Sequence, residues 1–422
     1  MPCLKSAERT GRKMYENLLY QPVDLQLKSD IEKGKFPGAV LFSGPEGAGK
    51  LTAALETSRI LSCVNNPKAK WDCKCPSCVR NRALTSTSLL LLGPRDCVQE
   101  IKASASTFIA SIKKNAPYIT ASRYLFVRSI RKLTLRFSQI LWEHDEKLSK
   151  IAGITGAIDE ELETLDFPHE LPEISSVEKS IEKLEKLSME LEDSFLYDSI
   201  PVNQIRNLAS WARMKSVDGK NTVIIENADR MLESVRNALL KILEEPPEGT
   251  VFILTTSRKS SIMPTILSRV RQYAFSERTL PNQQDVIKKV FHEEDFSGGI
   301  KEFLQDFLPV SPVEIRKKAL EFLKDISERK IPYVSSIVKD MNGFEPGSML
   351  KIFLDGINCS TKKLMLFPEG LKALEEMNTS VRECYSRVTV YNQGVQAALE
   401  LLVRDIYRIN RSGGNILKCV TM

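Results

Sequence analysis

Histidine is scarce. Three occur in 422 residues, which argues against a histidine-centred catalytic site. No run of apolar residues exceeds four, as at Leu89 to Leu92, whereas a membrane-spanning helix needs ~20. The opening MPCLKSAERTGRK has no apolar stretch of the kind that makes a secretory signal. Glycine and proline, 20 of each, are too few for a low-complexity or fibrous chain. What is left is a globular balance, 42% hydrophobic and 27% charged. These features predict a soluble, cytoplasmic chain, and at ~150 residues per domain the length predicts two or three domains. Sixty basic residues against 54 acidic ones give a net charge of +6, which permits nucleic-acid binding without requiring it.

The first informative stretch follows an amphipathic segment, DLQLKSDIEKG, that Gly34 ends. Ala39 to Phe42 reads as a short buried strand of the parallel-sheet kind. A glycine-rich turn comes next, and then the helical pattern LTAALETSRILSC. The turn, Gly44-Pro45-Glu46-Gly47-Ala48-Gly49-Lys50, fits G-x-x-x-x-G-K in the strand–turn–helix context that gives the motif its meaning. Glycines let backbone amides curl round the phosphates of ATP or ADP at the positive end of a helix, and Lys50 is positioned to reach the β-phosphate and, in ATP, the γ-phosphate. A glycine-rich turn that binds nothing is the alternative. The next position ordinarily carries a magnesium-holding hydroxyl, and here it is Leu51. Thr52 follows, but one residue along a helix is about 100° of rotation, so its hydroxyl points elsewhere. Magnesium-dependent hydrolysis is therefore doubtful on sequence grounds.

Nine cysteines occur, and four of them, Cys63, Cys73, Cys75 and Cys78, lie directly behind this helix. Four thiolates close together in a reducing compartment suit a tetrahedral structural zinc, with no open position for catalysis. Disulfides or free thiols are the alternative. The remaining five (Cys3, Cys97, Cys359, Cys384, Cys419) are dispersed.

From about 97 to 197 the pattern changes. Residues 102–136 hold eight basic residues and no acid (Lys102, Lys113, Lys114, Arg123, Arg128, Arg131, Lys132, Arg136). Residues 159–193 hold thirteen acids against three lysines. Apolar residues recur at helical spacing in both halves. The expectation is a hairpin of two long helices turning at DFPHELPEISS. Its opposite charges either pair with each other or leave the basic arm as a nucleic-acid or partner surface.

The strand and helix rhythm returns at 200. Thr222 to Ile225 reads as a second buried strand ending in Glu226, where a phosphate-loop protein places its metal-holding acid. A helix stopped by Pro246-Pro247, a third strand from Val251 to Thr256, and MPTILSRVRQYAF follow. Beyond 276 the chain reads as short amphipathic helices. The fold class expected from residues alone is thus α/β, a parallel sheet flanked by helices, followed by all-helical segments.

Residues 13 to 100 and 198 to 276 resemble the AAA+ clamp-loader family of bacterial DNA polymerase III, and within it the delta-prime branch. FPGAVLFSGPEGAGK, the four-cysteine module, NTVIIENADRM, NALLKILEEPPEGTVFILTT and PTILSRV stand in that family's order. The resemblance implies an AAA+ domain over 1–277, interrupted by the zinc module at 63–78 and the charged insertion at ~97–197. It further implies a helical lid over 278–340 and a helical collar for oligomerisation over 341–422. It implies partners as well: delta and gamma/tau subunits in a heteropentamer, and through them the sliding clamp and primed DNA. Arg269 matches the arginine finger that enters a neighbour's ATP site, and Thr256 matches the first sensor. The loop glycines and Lys50 carry over to phosphate binding, and the four cysteines to zinc.

Departures from the family pattern matter equally. Active motor subunits carry an acidic pair where this chain has Glu226-Asn227, and an amide takes no proton from water. Together with Leu51, this favours a subunit that lends a finger without hydrolysing ATP. The alternatives are an active gamma/tau-type motor and a stand-alone phosphate-loop nucleotide-binding protein.

Overall fold

A computed structural model describes residues 14–421 apart from 66–68, 198, 217–218, 343, 345–347, 368–369, 390 and 392. Cys3 and the opening segment lie outside the described residues. Five strands form one parallel sheet: β1 (Ala39–Ser43), β2 (Leu89–Leu92), β3 (Asn221–Ile225), β4 (Thr250–Thr256) and β5 (Arg271–Ala274). Their order is β2-β3-β4-β1-β5. Every residue of β1 to β4 is buried, as a parallel sheet covered on both faces requires. Alternation along the strands sends Leu41, Leu90, Leu92, Val223, Ile225 and Leu254 into one core. Val40, Phe42, Leu89, Leu91, Ile224 and Ile253 enter the other. At the edge strand β5 only Tyr273 is buried, and its hydroxyl donates to Asp30 Oδ2 at 2.8 Å. Sequence reading had found β1, β3 and β4. It missed β2, a four-leucine run that periodicity alone does not tell from a buried helix segment, and β5, whose residues are mostly polar and exposed.

The core that contains Val40 is completed by α1 (Val23–Glu32) and α2 (Lys50–Leu61), with α3 (Pro76–Ala83) beside α2. The core that contains Leu41 is completed by six helices: α4 (Val98–Lys113), α5 (Ile119–Thr134), α6 (Leu148–Leu165), α7 (Ile174–Phe195), α8 (Val202–Trp211) and α9 (Glu233–Glu244). The charged insertion is therefore four helices, α4 to α7, and not a hairpin of two. Asn115 in left-handed backbone (φ 45°) and Pro117 break the first basic stretch. The irregular segment 138–147 separates α5 from α6. The expected turn between α6 and α7 is present at 166–173. Phe108, Phe126, Ile130 and Leu133 of the insertion share one continuous core with Leu90, Leu92 and Leu254 of the sheet.

Helix α10 (Pro264–Leu267) lies between β4 and β5 and adds Ile266 to the core that contains Leu41, and α11 (Leu280–Phe291) and α12 (Ile300–Gln305) follow β5. The chain divides into two compact units between 303 and 304. The second unit is helical, with α13 (Pro312–Ser327), α14 (Val334–Asp340), α15 (Ser348–Thr361), α16 (Gly370–Thr389), α17 (Val395–Ser412) and α18 (Lys418–Thr421). Ile315, Phe322, Val334, Phe353, Met377 and Leu402 share its core, so the boundary expected at 340/341 lies inside that core. Among the described residues no helix is long and apolar enough to cross a membrane.

Candidate nucleotide and metal sites

The glycine-rich loop joins β1 to α2, as its sequence predicts. Gly44 N–H donates to Thr256 O at 3.2 Å, which ties the loop to the end of β4. Gly49 caps α2 in left-handed backbone (φ 89°), and a Cβ there would lie 3.0 Å from Arg278 Nη2. Lys50 is buried, and its Nζ donates to Gly44 O and Pro45 O, each at 2.6 Å. Burial pushes the Lys50 ammonium down to about 8, against the opposing pull of Glu226 and Glu46. The lysine expected to reach phosphates is thus folded onto its own loop's carbonyls. Leu51 packs into the core that contains Val40, while Thr52 is exposed. Neither offers the loop an oxygen. Arg278 was not foreseen from sequence. It donates to Leu19 O at 2.9 and 3.0 Å and to Gly47 O, and so stitches the segment after β5 over the loop.

Glu226 stands at the end of β3, where a metal-holding acid was expected, but its carboxylate faces no open site. Oε1 accepts from Arg95 Nη1 at 2.6 Å, and Oε2 accepts from Arg136 Nη2. Burial alone would raise this carboxyl; Arg95 and Arg136 outweigh it and hold Glu226 below the usual carboxylate range. The chain of charges continues from Arg95 Nη2 to Glu100 Oε2 at 2.8 Å and from Lys132 Nζ to Glu100 Oε1. Arg136 is fixed from behind: Nη1 donates to Lys132 O at 2.8 Å, and Trp142 Nε1 donates to Arg136 O at 2.9 Å. Trp142 itself stacks between Phe137 and Tyr197. Arg95, Glu100 and Arg136 were legible in the sequence only as charges.

The neighbouring polar residues are also committed. Asn227 sits in left-handed backbone (φ 51°), and its Nδ2 donates to Pro94 O at 2.6 Å. Its side chain is therefore a clamp between strand ends. Thr256 Oγ1 donates to Asp229 Oδ1 at 2.7 Å, and Asp229 Oδ2 accepts from Arg258 Nε at 3.1 Å. Arg269 follows α10 and is partly exposed. Its Nε donates to Glu244 Oε1 at 3.0 Å, with Nη2 on the same oxygen. Glu244 closes α9 and is half-exposed.

The four cysteines come together behind α2. Their sulfurs all lie within 4.8 Å of one another, with Cys63 at 3.7 Å from Cys73 and 3.8 Å from Cys75. A tetrahedron with Zn–S bonds of ~2.3 Å has edges of ~3.8 Å, so the set fits zinc. None of the four is joined in a disulfide. Cys63, Cys73, Cys75 and Cys78 would hold the ion, which would supply a cross-link and no chemistry. The tight Cys73-Lys-Cys75 spacing is accommodated because Cys75 caps α3, its sulfur accepting Cys78 N–H at 3.4 Å. Arg59, buried on α2, donates to Cys78 Sγ at 3.1 Å and to Glu56.

The basic arm of the insertion is largely consumed by pairing. Arg123 donates to the carbonyls of Leu165, Asp166 and His169. Arg131 pairs with Asp166, and Lys113 with Glu178. Tyr124 and Arg128 donate to Arg82 O, and Arg131 to Ala83 O, satisfying carbonyls that the end of α3 leaves open. Pairing between the basic and acidic halves is thus partial: Lys113 and Arg131 meet acids of 159–193, while Lys132 and Arg136 pair with Glu100 and Glu226 instead.

A family model described as "DNA polymerase III, delta subunit" matches residues 21–148 and 168–279. The delta' subunit of Haemophilus influenzae DNA polymerase III is 35% identical over 86 residues, which is 20% of this chain and 25% of that protein. The delta' subunit of Pseudomonas aeruginosa is 40% identical over 76 residues, 18% of this chain and 23% of its own length. A gamma/tau subunit of Mycobacterium tuberculosis is 40% identical over 81 residues, 19% of this chain and 14% of that one. The aligned segments thus span about a quarter or less of these curated relatives. The crystal structure of a DNA polymerase III gamma subunit-related protein from Thermotoga maritima aligns with 53% of this chain and 90% of its own, at 19% identity and a TM-score of 0.27. Since the family model accounts for more than half of the residues, and delta' subunits recur among the relatives, the chain belongs to the DNA polymerase III delta-prime family.

Proposed function

We propose that the chain works as a delta-prime-type clamp-loader subunit in the cytoplasm, helping to place a sliding clamp on primed DNA without turning over ATP itself. Its partners are then delta and gamma/tau-type subunits in a hetero-oligomer, with the helical segments beyond 277 serving as lid and collar. The observation that carries the non-hydrolytic reading is Glu226, held between Arg95 and Arg136 beside a loop whose hydroxyl position is Leu51. Neither an acid free to hold metal nor a base for water is left at the end of β3. Arg269 supplies the part given to a neighbour. It sits at the surface on the exposed carboxylate of Glu244, a partner that an incoming γ-phosphate can outcompete through bidentate, charge-assisted hydrogen bonds. Where arginine fingers have been dissected in other nucleotide hydrolases they are worth 10³–10⁵ in rate.

The test is DNA- and clamp-stimulated ATPase of the reconstituted loader. Arg269→Ala in this chain should lower turnover by at least about tenfold, a threshold set well below the 10³–10⁵ of such a finger, while Lys50→Ala leaves turnover nearly unchanged. Equal losses from both variants would make the chain a gamma/tau-like motor.

A further inference from the structure

The residues around Glu226 do not fit the magnesium ion that a phosphate loop ordinarily shares with its nucleotide. Magnesium asks for oxygen ligands in a near-octahedral array. Leu51 supplies none, Thr52 is turned to solvent, and both Glu226 oxygens already accept from guanidinium groups. The charge that magnesium would bring is nevertheless present. Arg95 and Arg136 each carry one positive charge that they do not lose in a protein, and together they match the two charges of the ion. Arg136 is buried, with its side chain 1% exposed, and is fixed by Lys132 O and the Trp142 stack. Arg95 is 28% exposed and bears on the charge state of Lys50. The loop's glycines and lysine, the parts that bind phosphate without metal, are all retained.

We propose that Arg95 and Arg136 stand in for magnesium, so that the loop takes a nucleoside di- or triphosphate free of divalent metal. Lys50 then exchanges the Gly44 and Pro45 carbonyls for phosphate oxygens. Guanidinium groups suit this because they are weakly hydrated and permanently charged. The inference rests on the reading that this chain does not hydrolyse ATP, and deepens it: the same substitution that removes hydrolysis preserves the positive field of the site.

The experiment uses the purified full-length chain and a fluorescent ADP analogue, titrated by anisotropy in EDTA and in excess magnesium chloride. Wild-type affinities should agree within about threefold in the two buffers, well under the tenfold that 1.4 kcal/mol represents. Glu226→Gln removes a negative charge and should bind as tightly or more tightly in EDTA, whereas an acid that holds magnesium would show weaker binding in the magnesium buffer. Arg95→Gln should weaken metal-free binding about tenfold, with melting followed by circular dichroism to verify its fold. Magnesium tightening wild-type binding tenfold or more would overturn the proposal, as would no binding in EDTA. Absence of binding in both buffers defeats it while leaving the non-hydrolytic reading intact. ATP hydrolysis by the isolated chain defeats both.

Discussion

Arg136 and Glu226 are 90 positions apart in sequence and form a buried ion pair. One belongs to the inserted helices, the other to the end of a central strand. A lone buried carboxylate would be strongly disfavoured, and a second guanidinium from Arg95 completes its partners. The pair binds the insertion to the part of the sheet where hydrolytic relatives of this loop type keep their metal.

Stability should depend on acid pH through Glu100. Burial tends to raise its carboxyl, but Lys132 and Arg95 pull it down to about 2, against ~4.3 in an unfolded chain. A group depressed on folding adds stability above its unfolded value and loses it as pH falls through the folded one. The contribution is complete at neutral pH and fades between about pH 5 and pH 2. Glu100→Gln should reduce the unfolding free energy at pH 7 by on the order of 2–3 kcal/mol, with the gap closing at low pH. Urea denaturation of both proteins across that range measures it. A constant gap would mean that the loss is one of packing rather than charge.

Gly93 directly follows β2 with φ 114°, and a Cβ there would lie 2.2 Å from Glu226 O. Alanine cannot enter without moving the strand end that presents Glu226. Gly93→Ala should therefore cost more than about 2 kcal/mol, through clash and unfavourable backbone together. Equilibrium unfolding is the check, and a neutral result would mean that the β2 and β3 ends are not so closely opposed.

Zinc should copurify at one ion per chain. Cys75→Ser should lower metal content and reduce the melting temperature by about 5 °C or more, measured by metal analysis and calorimetry on the same sample. A metal-free wild-type protein with unchanged melting would remove the structural role assigned to the four sulfurs.

Excision of 97–197 should not leave a folded remainder. It would uncover Leu90, Leu92, Val223 and Leu254, which share a core with Phe108, Phe126 and Leu133. At ~1.5–3 kcal/mol per large apolar side chain, exposing these four costs roughly 6–12 kcal/mol, comparable to the whole ~5–15 kcal/mol that holds a domain together. The truncated chain should show no cooperative thermal transition. A cooperative transition would establish the insertion as a separable module.

The phosphate loop, the zinc module and the three central strands were legible because each is written in contiguous residues. AVLF, four closely spaced cysteines and VFILTT carry their meaning locally. The fate of Glu226 was not legible, because Arg95 and Arg136 reach it from distant positions and a sequence shows charges without their partners. The resting contacts of Lys50 are not legible either: the motif specifies what a lysine does with phosphate present, and here the carbonyls of Gly44 and Pro45 hold it. The four-helix insertion was read as two because period and charge dominated the pattern: Asn115 and Pro117 do mark the first break, whereas the break at 138–147 has a weak local signal.

The triple arrangement of Leu51, Arg95 and Arg136 makes a metal site at the end of β3 hard to reach by single substitutions. A hydroxyl restored at 51 meets an acid that is already taken. Replacing Arg136 alone strips a charge partner from buried Glu226, and replacing Arg95 alone also frees Glu100. Each intermediate is worse than the present chain by the stability of a buried pair, before any catalytic return. Any route from this arrangement to a magnesium site therefore passes through several coupled substitutions within one cluster of side chains.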